Sequence, residues 1–251
     1  MSLLAMYINS RVIDPIAVLN KASKELVSNL ENDRDFSVEV GTTNEISELA
    51  DSFGQMHIGI KEYIDRLSKV TAEKERIGAE LNVATKIQEA MLPSIFPPFP
   101  EVEELDIYAT MDPAKEVGGD FYDFFKIDND HIGLVIADVS GKGVPAALFM
   151  VIAKTLIKDQ ALTGGTPAEI LERVNDLLCE NNKVDMFVTV WMGIIDVKTG
   201  DIIAANAGHE FPAIRRAAGN YELFKDKHGF VVAGMEGMKY KDYEIKLGIL
   251  I

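Results

Sequence analysis

Phe121-Tyr122-Asp123-Phe124-Phe125-Lys126-Ile127, then Asp128-Asn129-Asp130, then His131-Ile132-Gly133-Leu134-Val135-Ile136-Ala137-Asp138-Val139 reads as strand, turn and strand. Aromatic and β-branched residues dominate both runs, and the triplet between them carries Asp and Asn side chains that close tight turns. A hairpin brings together what flanks it. Ahead of the first strand stands Glu116-Val117-Gly118-Gly119-Asp120, a carboxylate directly after a diglycine turn. At the end of the second, Asp138 is followed by Val139-Ser140-Gly141-Lys142-Gly143, whose glycines leave backbone groups open. Asp120 and Asp138 are therefore expected on neighbouring antiparallel strands, aimed at one point. Either alone reads better as a turn residue, Asp and Gly being common at strand ends. As a pair with open backbone oxygens they suit Mg²⁺ or Mn²⁺, which prefer oxygen ligands and keep waters.

Working outward, a helix is expected from Pro145 to Lys158, where Ala147, Leu148, Val151, Ile152 and Thr155 share a face. Thr166-Pro167 caps another through Leu178. Phe187 to Val197, Asp201 to Ala207 and Ala213 to Arg216 read as strands, and so does the alternating Leu105-Asp106-Ile107-Tyr108-Ala109. Tyr243, Ile245, Leu247, Ile249 and Ile251 alternate in the same way. Strands, two helices and strands again give an α+β class with antiparallel sheets. Asn206-Ala207-Gly208-His209, at a strand end, is a third chemical signal.

The N-terminal part reads differently. Its one proline is Pro15, whereas Pro93, Pro97, Pro98 and Pro100 break any helix and set a boundary near Met91. Ile16, Leu19 and Leu26 repeat at helical spacing, and the polar stretch from Asn29 to Gly41 is a connector. Asn44 is a helix cap, after which Ile46, Leu49, Phe53, Met56, Ile60, Tyr63, Leu67 and Val70 alternate at steps of three and four. Ile77, Leu81 and Ala84 resume that spacing. A helix about 70 Å long cannot bury such a stripe alone, and self-pairing is the simplest supply of a partner. The chain thus divides into a helical module (1–60), a coiled-coil linker helix (61–92) and an α+β domain (93–251), with a homodimer expected.

Over 251 residues, 47% hydrophobic and 26% charged residues describe an ordinary globular chain, and the net charge of −15 argues against nucleic acid or anionic membrane as a main partner. Cys179 is the only cysteine, which excludes an intrachain disulfide and fits a cytoplasmic location. No apolar run is long enough to span a membrane. Met1 to Ile8 reads as an expression scar joined to the last turn of a removed span, so a longer parent is expected to be anchored in the inner membrane.

Two family resemblances follow from these residues. Pro15-Ile16, the Gly41 connector, Asn44-Glu45-Ile46, Phe53 and Met56 resemble a HAMP domain, the helical relay of bacterial receptors. The Asp120 and Asp138 motifs, with Ala84-Thr85-Lys86-Ile87-Gln88-Glu89-Ala90-Met91-Leu92-Pro93, Val144-Pro145-Ala146-Ala147-Leu148-Phe149-Met150 and Asn206-Ala207-Gly208-His209, resemble metal-dependent (protein phosphatase 2C-like) serine/threonine phosphatases of the bacterial sporulation and sigma-regulator branch. That resemblance implies an αββα sandwich and two Mn²⁺ or Mg²⁺ ions, with Asp120, Asp138 and the Val139 carbonyl as ligands. It also implies hydrolysis of a phosphoprotein by a metal-activated hydroxide, and a phosphorylated STAS-type anti-anti-sigma protein as substrate. Lys115 and Lys142 flank the motifs and read either as solvated surface lysines, the commoner case, or as groups that attract phosphate, and His209 reads either as a turn-stabilising residue or as an aid to proton transfer. The branch continues into a Thr-Asp-Gly segment and a later Asp. This sequence reaches Ile251 without either, so weak metal binding and an inactive chain are expected. Two rivals remain: a non-catalytic partner-binding pseudophosphatase, and a diguanylate cyclase suggested by Gly118-Gly119-Asp120-Phe121. The cyclase reading fails on order, since its Asp-rich element should precede the diglycine.

Overall fold

A computed structural model describes residues 3–31, 40–41, 45–112, 117–180, 182–216 and 219–247. The chain forms two compact units, Met1–Gly78 and Ala79–Ile251. In the first, α1 (Leu3–Ile8) passes through a π-helical turn (Asn9–Ile13) into α2 (Asp14–Glu31). The predicted cap Asn44 lies outside the described residues. An unbroken helix, α3 (Glu45–Met91), runs through the division between the units. Leu19, Ala50 and His57 are buried, whereas Leu49, Met56, Tyr63, Leu67 and Val70 of the predicted seam are exposed. The division falls at Gly78, ahead of the prolines, because the last turns of α3 pack into the second unit through buried Gln88 and Leu92.

The second unit is built on a five-stranded antiparallel sheet in the order β1-β2-β3-β4-β7: β1 (Phe121–Lys126), β2 (His131–Val139), β3 (Val188–Asp196), β4 (Asp201–Ala207) and β7 (Tyr243–Lys246). A separate pair, β5 (Ala213–Arg215) and β6 (Tyr221–Leu223), stands beside it. The β1–β2 hairpin forms as read from the sequence, its turn closed by Asp128 Oδ1, which accepts from the N–H groups of Asp130 and His131 at 2.8 Å. Alternation along each strand sorts side chains onto two faces. One face, with Val135, Ala137, Val139, Val188, Val190 and Met192, packs under α4 (Val144–Leu162) and α5 (Pro167–Glu180). The other carries Ile132, Ile195, Ile202 and Ile245 against Phe99, Val102 and Leu105.

Mixed α+β with an antiparallel sheet is therefore the observed class. Of the four layers of an αββα sandwich, the described residues contain one helical layer on one main sheet. The strand expected at Leu105–Ala109 does not form: the segment belongs to no ladder among the described residues. Its alternation is nonetheless real, since Leu105, Ile107 and Ala109 are half-buried while Asp106 and Tyr108 are exposed. Within the helical face, Lys154 of α4 meets buried Asp123 of β1 at 2.6 Å. On the other face the Trp191 indole donates to the Tyr243 hydroxyl at 2.8 Å, tying β3 to β7 across β4.

Candidate functional site

Register places the predicted acids together. Phe121 pairs with Ala137, so the next step along the hairpin sets Asp120 opposite Asp138, and Asp138 in turn pairs with Thr189 on β3. All three lie on the face away from α4 and α5. Just past β4, the Nδ1 of His209 sits 2.9 Å from the Thr189 hydroxyl. The result is a row, Asp120–Asp138–Thr189–His209, across one end of four adjacent strands.

Each member is held locally. Gly119 has no room for a side chain: a Cβ there would stand 3.0 Å from the Val139 carbonyl oxygen and 3.2 Å from the Ala146 Cβ. The diglycine is thus a close approach of one backbone to another, and it seats Asp120 beside Val139. His209 is fixed by Asn206, whose side chain donates to the His209 carbonyl at 3.1 Å and accepts from its N–H at 2.8 Å. Gly208, at φ +74°, supplies the left-handed turn between them. Thr189 Oγ1 also lies 3.4 Å from the Asp138 carbonyl oxygen. The hydroxyl thus bridges the Asp138 backbone and the His209 ring, which orients the imidazole.

The electrostatics set two like charges together. Burial, and then the hydrogen-bonded carboxylate of Asp120, push Asp138 up to about 6. Among the described residues no basic side chain pairs with either acid. His209 is held below the ordinary imidazole value by burial, against the opposing pull of Glu210 and Asp120. A cleft of about 510 Å³ opens on the acids from the Gly118–Gly119, Gly141 and Lys142 side, and one of about 360 Å³ from the Met111, Tyr122 and His209 side. A slightly larger cleft, about 620 Å³, lies elsewhere on α5. Two of its charged groups already have partners: Arg173 bonds Gln160 and Asp176 bonds the Gly237 N–H.

Two crowded carboxylates, one holding a proton too tightly, beside a backbone carbonyl and an open cleft, fit a hard divalent cation that retains waters. The described residues hold no group of three or more His, Cys, Asp or Glu side chains suited to a metal. The predicted pair and the Val139 backbone are brought together, and Lys142 lines the cleft. Lys115 and Glu116 lie outside the described residues. Asp123, quoted in the same motif, is diverted to Lys154. Two residues escaped sequence reasoning: Thr189, visible only once strand register is known, and Gln88, a polar residue on the stripe formed by Leu81, Ala84 and Met91.

Comparison with known proteins speaks to the family and the fold. Residues 128–249 match the model of the Stage II sporulation protein E (SpoIIE) family. The chain is 32% identical over 173 residues to phosphoserine phosphatase RsbU of Bacillus subtilis (strain 168), covering 68% of this chain and 50% of RsbU. It is 30% identical over 226 residues to protein IcfG of Synechocystis sp., covering 78% of this chain and 34% of that protein. The chain therefore spans half or less of the length of these curated relatives. Among solved structures, the SiaA-PP2C domain of Pseudomonas aeruginosa shares the fold, with a TM-score of 0.59 at 22% identity and 70% coverage of each chain. On the match of residues 128–249, the RsbU relationship and the shared fold, the C-terminal unit is a SpoIIE/PP2C-like phosphatase domain of the branch that includes RsbU and SpoIIE.

Proposed function

We propose that this chain is the phosphatase portion of a bacterial signalling protein that removes phosphate from phosphoserine or phosphothreonine on a protein substrate. The observation that carries this reading is the Asp120–Asp138 pair, two carboxylates facing each other across a hairpin with Asp138 pushed up to about 6. Asp120, Asp138 and the Val139 carbonyl would hold Mn²⁺ or Mg²⁺. Bound there, the ions would supply a water acidic enough to attack phosphorus and positive charge opposite the phosphoryl oxygens. Lys142 draws phosphate toward the cleft, and His209, oriented by Thr189, assists proton transfer.

The N-terminal part is read as a HAMP-like module (1–60) and a coiled-coil linker (61–92) that dimerise the phosphatase domain (93–251) and regulate it. Support comes from the 47 continuous residues of α3 and from apolar side chains left exposed at Leu49, Met56, Tyr63, Leu67, Val70 and Ile77. A phosphorylated STAS-type regulator in a sigma-factor pathway is the proposed substrate, by relation to RsbU. The location proposed is the cytoplasm, with the parent anchored in the inner membrane; no helix among the described residues is long and apolar enough to cross one.

Phosphate release from a phosphorylated STAS-type protein by the natural full-length protein with Mn²⁺ tests the activity. No release from that substrate or from small phosphoesters, with Mn²⁺ bound, would favour a partner-binding pseudophosphatase instead. Light scattering tests the dimer: twice the 27.7 kDa chain mass is expected, and a clean monomer at micromolar concentration defeats that part.

A further inference from the structure

Gln88 lies in the last turn of α3, where the helical spacing calls for an apolar residue, and it is 5% exposed. Its carboxamide makes two bonds to a single residue. Nε2 donates to the Gly118 carbonyl at 2.5 Å, and Oε1 accepts from the Gly118 N–H at 3.2 Å. A side-chain amide that satisfies both groups of one residue fixes that residue's backbone as a neighbouring strand would. Gly118 needs such fixing, because two successive glycines have more backbone freedom than any other pair.

What the bonds hold leads directly to the acid. Val117, 3% exposed, anchors one side of Gly118 in the core. On the other, Gly119 lies against the Val139 carbonyl and Ala146. Asp120 comes next. The following strand is tied to the end of the same helix a second time, since the Tyr122 hydroxyl donates to the Pro93 carbonyl at 2.9 Å. Asp120 is thus bracketed by three bonds to the segment 88–93, and only the Gln88 pair acts on the flexible side.

We infer that Gln88 is a positioning residue for the cation site: its carboxamide sets the Gly118–Gly119 turn and so the placement of the Asp120 carboxylate against Asp138. This rests on the reading of Asp120 and Asp138 as cation ligands, and it adds that the ligand geometry is set from α3. Removing the amide frees the diglycine turn, so Asp120 must be ordered at the moment the cation binds. Affinity falls, while the bound state, once formed, is nearly unchanged.

The test uses the natural full-length protein with Mn²⁺ as probe, bound ion being counted by the loss of the free-Mn²⁺ electron paramagnetic resonance signal. Gln88→Met keeps the length of the side chain and removes both bonds. Gln88→Glu keeps the acceptor for the Gly118 N–H but sets a carboxylate against the Gly118 carbonyl. Each is expected to weaken Mn²⁺ binding about tenfold or more, as losses behind a metal ligand do. Turnover at saturating Mn²⁺ should return to within about threefold of the parent, which places the loss in binding rather than in chemistry. A purely structural role would lower the metal-free melting temperature and leave Mn²⁺ affinity where it was. If Gln88→Met does not fold, Gln88→Glu decides. Asp138→Asn runs in parallel. Lost Mn²⁺ binding in Asp138→Asn, with unchanged affinity in both Gln88 variants, overturns the positioning role alone. Undiminished binding in Asp138→Asn overturns the cation site itself, and this inference with it.

Discussion

Asp123 and Asp138 lie on adjacent strands of one hairpin and have opposite fates. Asp123 is 4% exposed and meets the ammonium of Lys154 at 2.6 Å, with a further bond from the Phe124 N–H at 3.0 Å. Asp138 faces another carboxylate and meets no basic side chain among the described residues. Under the helices the fold neutralises its buried charge from within. At the sheet end it leaves two like charges together, a state that favours a proton or an added cation. An acid with a built-in partner belongs to the architecture; an acid crowded against its own kind awaits something from outside.

The comparison breaks first on turnover. Asp120→Asn or Asp138→Asn removes a charge and keeps the shape, so activity of the full-length protein should fall by more than the roughly 10–100-fold that outer-shell losses cost at metal sites. Turnover within a few-fold of the parent in both variants would show that the site is misplaced. The metal-free Asp138→Asn protein should meanwhile be no less stable than the parent, because the substitution relieves a repulsion.

Asp123→Asn should behave in the reverse way. It strands Lys154, 12% exposed, against a neutral amide. The cost is about 3 kcal/mol, a drop of roughly 6–12 °C in melting temperature for a domain of this size. Calorimetry measures it. A melting temperature unchanged by Asp123→Asn but lowered by Asp138→Asn would invert the contrast.

The smallest effect is the response to pH. The folded value for Asp138 is raised from 3.8 to about 6. Its stabilising contribution to the metal-free protein is therefore present below 3.8 and lost as pH rises through about 6. Cation binding runs the other way, since the proton must leave first. Mn²⁺ should raise the melting temperature more at about pH 7.5 than at about pH 5. An equal shift at both values would mean that Asp138 does not hold the ion.

How far this was legible in the sequence depends on the range of the interaction. β2 (His131–Val139) and β4 (Asp201–Ala207) match the expected runs residue for residue, and α4 and α5 extend theirs by a few positions. Periodicity reports such elements because it is local. It misled at Leu105–Ala109, where alternation records one buried side and says nothing about a ladder on the edges. The Asp120–Asp138 pair was readable because a short turn joins their strands. The Asp123–Lys154 pair, 31 residues apart, was not, and neither was the bond from Gln88 to Gly118 across 30. Thr189 needed the β2–β3 register, which no local pattern carries. A polar residue on an otherwise apolar stripe was the one available hint of Gln88.

Trp191 is the only tryptophan in the chain. Its ring occupies space that Gly193 leaves open, where a Cβ would come within 2.6 Å of it, and its indole N–H is bonded to Tyr243 on the outermost strand of the sheet. With excitation at the red edge, where its seven tyrosines do not absorb, the chain therefore emits from a single indole that reports one contact. If β7 peels from the sheet, that bond breaks, the indole meets water and the emission shifts to the red, all without a label. Because Trp191 stands two residues from Thr189, the same light should register events in the row of site residues. The sheet edge and the site can thus be followed in one cuvette, on the unmodified chain.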